Sequence, residues 1–84
     1  MKETTIIEFV NKDRNETYEL EVPKNITASE LALALNEAYD LGMDTKNIFN
    51  CYLVSENPIA FLRGNKEISS FGVHDGTKII YKRR

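Results

Sequence analysis

The stretch FGVHDGTKIIYKRR, Phe71 to Arg84, decides how the rest of the chain is read. His74-Asp75-Gly76 is a tight-turn signal, because Asp bonds to nearby backbone and Gly accepts a positive φ. Thr77 to Lys82 then reads as a closing strand. Its residues alternate, with Ile79 and Tyr81 on one face and Ile80 and Lys82 on the other. Just upstream, Glu67 to Val73 reads as a one-turn or 3₁₀ connection. A single closing strand must join a sheet built earlier, so the question passes to what precedes it.

Working backwards, Phe49 to Ser55 and Ala60 to Leu62 read as two strands. The turn Glu56 to Pro58 lies between them, and Arg63 to Lys66, with Gly64, turns the chain again. Before them lies a helix with a clear start. Thr27 followed by Glu30 is a capping box, in which each residue satisfies the other's backbone N–H. Ile26 and Leu31 occupy the staple positions around it. Leu31, Ala34, Leu35, Ala38 and Leu41 recur at helical spacing, and Gly42 supplies a left-handed stop. The expected helix therefore runs from about Ala28 to about Leu41.

Two strands come first. Thr5, Ile7 and Phe9 share one parity; Ile6, Glu8 and Val10 share the other. Tyr18, Leu20 and Val22 alternate with Thr17, Glu19 and Glu21, which predicts a hairpin with one wet face. Pro23 ends that second strand, having no N–H for a ladder. The order is β-β-α-β-β-β in an α+β chain, and one helix must cover one face of a mixed sheet. That is the β-grasp architecture, with the first and last strands parallel neighbours at the centre.

At 84 residues the chain is expected to be a single domain, residues 1–84, with one thin core. Net charge is −2 with a pI of about 5.4, which disfavours nucleic acid as a partner. No stretch approaches the roughly 20 apolar residues of a membrane span, so direct membrane insertion is not expected. The N-terminal apolar run is short and broken by Glu8, unlike a signal peptide. A cytoplasmic protein fits a chain with one cysteine.

The helix start ITASEL, the loop LRGNKEI and the segment ISSFGVHDGTKIIY resemble the ubiquitin-like superfamily. Ile68, Phe71, Val73, Gly76 and Ile79 fill that superfamily's closing pattern. Within it, YELEVPKNITASELALALNEAYDL is most similar to the bacterial YukD/EsaB group. Those are accessory proteins of the type VII (WXG-type, Ess/Yuk) secretion machinery. The resemblance implies a non-enzymatic ubiquitin-like interaction module with a protein partner, a membrane component of that machinery included. An unrelated ubiquitin-like lineage stays open as an alternative.

Catalytic and cofactor chemistry is not expected. Conjugating ubiquitin-like proteins and sulfur carriers end in Gly-Gly, because a tail without side chains can enter a narrow activating channel. Lys82-Arg83-Arg84 stands here instead. A carrier with a processed tail is the alternative, and mass spectrometry of the native protein would reveal it. An iron–sulfur cluster needs four ligands, usually thiolates, and Cys51 is the one cysteine. Cys51 reads as a small apolar strand residue and His74 as a solvated turn residue. No metal site is expected. Gly64 and Gly76 are isolated turn glycines rather than parts of a phosphate loop. The basic run Lys78, Lys82, Arg83 and Arg84 reads as a solvated tail.

Function is then expected on a surface. The resemblance puts Ile79 and Tyr81 inward, so Ile80 faces out. The apolar set Phe49, Cys51 and Leu53 is placed inward, which leaves Tyr52 and Val54 outward. The expected protein-binding group is Ile80, Tyr52 and Val54, ringed by Lys78, Lys82 and Arg63 and bordered by Ile6. An exposed edge strand also leaves a homodimer open.

Overall fold

The computed structural model describes residues 3–43, 46, 53–57 and 59–81. Strands β1 (Thr4–Asn11) and β2 (Glu16–Pro23) form the opening hairpin. Helix α1 (Ala28–Tyr39) follows, then β3 (Leu53–Glu56), β4 (Ala60–Leu62), a 3₁₀ turn (Ile68–Phe71) and β5 (Lys78–Tyr81). The sheet order is β2-β1-β5-β3-β4. β1 and β5 run parallel, and the other pairs are antiparallel. This is the ubiquitin-like β-grasp fold. None of the described helices is long and apolar enough to cross a membrane.

Alternation along the strands builds one covered face. Thr5, Ile7, Phe9 and Asn11 of β1 are buried, while Ile6, Glu8 and Val10 between them are half-exposed. Val22 of β2 is buried, and Tyr18 and Leu20 pack against the core from its partly open edge. Leu53, Leu62, Ile68, Val73, Ile79 and Tyr81 complete the core against α1. Phe71 packs against that cluster but stays half-exposed.

The helix begins where the sequence places it. The Thr27 hydroxyl accepts from Glu30 N at 3.1 Å, and Glu30 Oε1 accepts from Thr27 N at 3.0 Å. The Thr27 N–H, and after it the Thr27 hydroxyl, hold the Glu30 carboxyl below the usual carboxylate range. The remaining early amides are also satisfied. Ala28 N donates to Lys66 O and Ser29 N to Gly64 O, so the RGNK turn caps the helix from outside.

The helix ends differently from the expectation. Its last residue is Tyr39, and Asp40, not Gly42, is the left-handed cap, at φ 52° and ψ 56°. The Arg14 guanidinium reaches over from the hairpin turn. It donates to Tyr39 O at 3.1 Å and to Asp40 O at 3.2 Å, closing orphan carbonyls. The buried stripe is also displaced. It comprises Ala28, Leu31, Ala32 and Leu35, with Tyr39 half-buried, while Ala34 and Ala38 are exposed. The two differences have one cause. At about 100° per residue, Leu41 on a continued helix would point roughly 130° away from the middle of this stripe. Ending at Tyr39 lets Leu41 turn back into the core, where it is buried.

The turn in HDGT is fastened on both sides. Asp75 Oδ1 accepts from Ile6 N and from Thr5 Oγ1, both at 2.9 Å, and Gly76 N donates to Ile6 O at 2.8 Å. Gly76 sits at φ 91°, a conformation that favours glycine. Thr77, fully buried, accepts from His74 N and donates to Asn57 O. This side-chain network brings β5 into register between β1 and β3. At the far end of β5, the Tyr81 hydroxyl donates to Leu41 O at 2.9 Å and ties the strand to the segment after the helix.

Candidate protein-binding face

The sheet has one face under α1 and one face open. The strand registers define what lies across the open face. Val10 pairs with Ile80, Ile80 with Val54, and Val54 with Phe61. All four residues have the outward parity of their strands. They therefore form one unbroken apolar row across β1, β5, β3 and β4, about 15 Å long at the usual strand spacing. Val10, Ile80 and Val54 are half-exposed, and Phe61 is 65% exposed. Ile59, in the turn before β4, is 86% exposed at the same end of the sheet.

The adjacent row is charged. Glu19 pairs with Glu8, Glu8 with Lys78, and Lys78 with Glu56. Lys78 therefore borders the apolar row as expected, but with a carboxylate as register partner on each side. The described border is mixed rather than basic. A third row holds Ile6 opposite Glu21. Ile6 lies four positions before Val10, about 13 Å along the strand, with Glu8 between them on the same face. Ile6 is thus apart from the apolar row. Arg63 is exposed just beyond β4, two residues from Phe61.

Of the expected group, the structure brings Ile80 and Val54 into contact positions, with Lys78 beside them. Tyr52 and Lys82 lie outside the described residues, as do Phe49, Cys51, Arg83 and Arg84. Two members of the row, Val10 and Phe61, were not in the expected group. The parity of Val10 was legible, but its neighbour on β5 depends on a parallel register that sequence does not reveal. Phe61 belongs to a strand of three residues, too short to show alternation.

His74 is exposed, and its Nδ1 lies 2.9 Å from the Asp75 carbonyl, which accepts when Nδ1 carries the proton. Among the described residues, no three His, Cys, Asp or Glu side chains gather as a metal site. A depression of about 270 Å³ lies between the hairpin turn and the helix end. Of the groups lining it, Arg14 donates to the helix-end carbonyl of Tyr39 and the Tyr81 hydroxyl to Leu41 O just beyond the helix. Behind it, Tyr18 stacks on Tyr39 with ring centroids 4.6 Å apart, and Phe9 packs on Tyr39 at 5.3 Å. Burial in this aromatic group, with a hydrogen bond to Glu16, raises the Tyr18 phenol above its ordinary value.

No protein-family model matches the sequence, and no curated protein matches it. Solved structures do match the fold. A designed protein based on ubiquitin superposes with a TM-score of 0.70 at 14% identity, covering 100% of this chain and 93% of that one. The ubiquitin-like domain of an Arabidopsis thaliana protein gives 0.67 at 12% identity, over 94% of this chain and 76% of its own. The UBL domain of a yeast protein gives 0.62 at 18% identity, over 100% and 95%. The neighbours share their fold with this chain: it is a ubiquitin-like β-grasp.

Proposed function

We propose that the protein is a non-enzymatic interaction module that docks a protein partner on the open sheet face. The observation that carries the reading is the unbroken row Val10, Ile80, Val54 and Phe61. Fully or half-exposed apolar side chains in one contiguous line are what partner surfaces bury. Ile80 and Val54 are the anchors, with Val10, Phe61 and Ile59 extending them. Lys78 and Arg63 lie at the rim. Tyr52 and Lys82 join on strand parity alone, and Ile6 is a separate, peripheral contact.

The finer reading rests on sequence resemblance to the YukD/EsaB group. It makes the protein a cytoplasmic accessory or regulatory component of a bacterial type VII secretion system, acting on a membrane component of that machinery. A gene neighbourhood holding WXG-type proteins and a large membrane ATPase supports this assignment, and a neighbourhood without them removes it. The direct test is to titrate isotope-labelled protein with the cytosolic part of that ATPase and follow amide shifts. Shifts should centre on Val10, Val54, Phe61 and Ile80. Ile80→Asp should abolish them while circular dichroism is unchanged. Shifts confined to the outer surface of α1, around Ala34, Glu37 and Ala38, would refute the docking face.

A further inference from the structure

β2 is an edge strand, and the hydrogen-bond pattern shows which of its backbone groups are turned outward. Lys24 N donates to Glu3 O, directly across the hairpin. In an antiparallel pair, hydrogen-bonded and non-bonded positions alternate. Val22, Leu20 and Tyr18 therefore turn their backbone groups toward β1, and Glu21, Glu19 and Thr17 turn theirs away. The other side of β1 agrees with this phase. Glu8 N donates to Thr77 O, and Ile6 O accepts from Gly76 N, so the even residues of β1 face β5. The free edge of β2 thus presents the N–H and C=O groups of Thr17, Glu19 and Glu21. Pro23 closes the row, having no N–H and a carbonyl that already accepts from Ile26 N at 3.4 Å.

The side chains along this edge select what can pair with it. Thr17, Glu19 and Glu21 are exposed on the open face. Glu19 lies opposite Glu8 across the hairpin, so an excess of carboxylate borders the edge. Glu21 also accepts from the Thr4 hydroxyl. On the other face, Tyr18 and Leu20 are half-buried and leave apolar surface beside the edge. A second copy pairing antiparallel through β2 would bring Glu19 and Glu21 beside the same residues of its partner. Like charges on neighbouring strands are destabilising, and such edges resist self-pairing.

We infer that the β2 edge takes an extended peptide segment as a sixth strand, one that alternates basic and apolar residues. The basic side chains lie beside Glu19 and Glu21 on the open face. The apolar ones lie beside Tyr18 and Leu20. Main-chain bonds to Thr17, Glu19 and Glu21 supply the register, and alternate side chains supply the selectivity. This site is separate from the apolar row around Ile80, and it stands or falls independently of docking there.

The probe is a synthetic peptide alternating Lys and Val, seven residues long by design. The readout is amide hydrogen exchange of the full chain. The exchange of Thr17, Glu19 and Glu21 should slow about tenfold when free peptide is at ten times its Kd, since only the free fraction then exchanges. Tyr18, Leu20 and Val22 should change little, because their amides are already bonded to β1. A Glu–Val peptide, a scrambled Lys/Val peptide and one N-methylated at alternate residues should give no such pattern. Ile80→Asp should leave the protection intact, and Glu19→Lys/Glu21→Lys should remove it. Protection that ignores the odd–even alternation, or that the scrambled peptide reproduces, would overturn the proposal. So would protection of the same three amides that rises with protein concentration without peptide, which would assign the edge to a second copy.

Discussion

Asp75→Ala tests whether the HDGT turn is what sets β5 against β1. The carboxylate accepts two bonds through Oδ1, from Ile6 N and from Thr5 Oγ1. They differ in what their loss exposes. Ile6 is half-exposed, so water can replace the carboxylate there, at a cost of about 0.5–1 kcal/mol. Thr5 is 1% exposed, and an orphaned buried hydroxyl costs about 1–3 kcal/mol. The expected loss is roughly 2–3 kcal/mol in urea unfolding, or about 10–20 °C in Tm for a chain of this size. Asp75→Asn keeps an acceptor and should lose about 1 kcal/mol or less. A double-mutant cycle isolates the buried term. Thr5→Val removes the donor, so Thr5→Val/Asp75→Ala should be less destabilised than the two single losses added, by about 1 kcal/mol or more. Strict additivity, or an Asp75→Ala loss under about 0.5 kcal/mol, would refute the assigned role.

Four further outcomes follow from other groups. Thr27→Ala should cost about 1 kcal/mol through loss of the capping box, read by chemical unfolding. Because the Glu30 carboxyl is held low in the fold, its contribution is present above the unfolded carboxylate value and is lost as pH falls through the lowered folded one; a stability–pH titration of wild type against Glu30→Gln should show the difference closing in acid. Tyr81→Phe removes the donor to Leu41 O and should cost on the order of 1 kcal/mol, with faster amide exchange concentrated around Leu41 to Met43. For Tyr18, whose phenol is held high, the stabilisation of the neutral form is present below the unfolded phenol value and fades as pH rises through the folded one, so Tyr18→Phe should lose the alkaline part of the unfolding profile.

The fold was legible because its signals are periodic and local. Strand parity separates Ile7 and Phe9 from Ile6 and Val10, and two residues, Thr27 and Glu30, mark the helix start. Gly76 marks the turn by its conformation. The helix phase was harder to read. In Leu31-Ala32-Leu33-Ala34-Leu35, apolar residues occupy every position around the helix, so several stripes fit. Tertiary packing chooses Ala32 over Ala34, because Leu41 must leave the helix to reach the core. The helix end is likewise decided at a distance, by Arg14 from the hairpin turn and Tyr81 from the last strand.

The candidate face shows the same division between local and distant information. Sequence assigns Ile80 and Val54 to a face, because parity is local. It does not assign Val10 as a neighbour, because register joins residues 70 positions apart in β1 and β5, nor Phe61, whose strand of three residues is too short to show alternation. That register is fixed by Asp75, which bonds to Thr5 and Ile6, and by Gly76, which bonds back to Ile6. The polar turn therefore has a consequence for the apolar row. If Asp75 holds β5 in place, an Asp75→Ala chain that still folds should bind a partner at the open face more weakly, although Asp75 lies outside the row. Binding by Asp75→Ala equal to wild type under folded conditions would separate the turn from the face and leave Asp75 a purely stabilising residue.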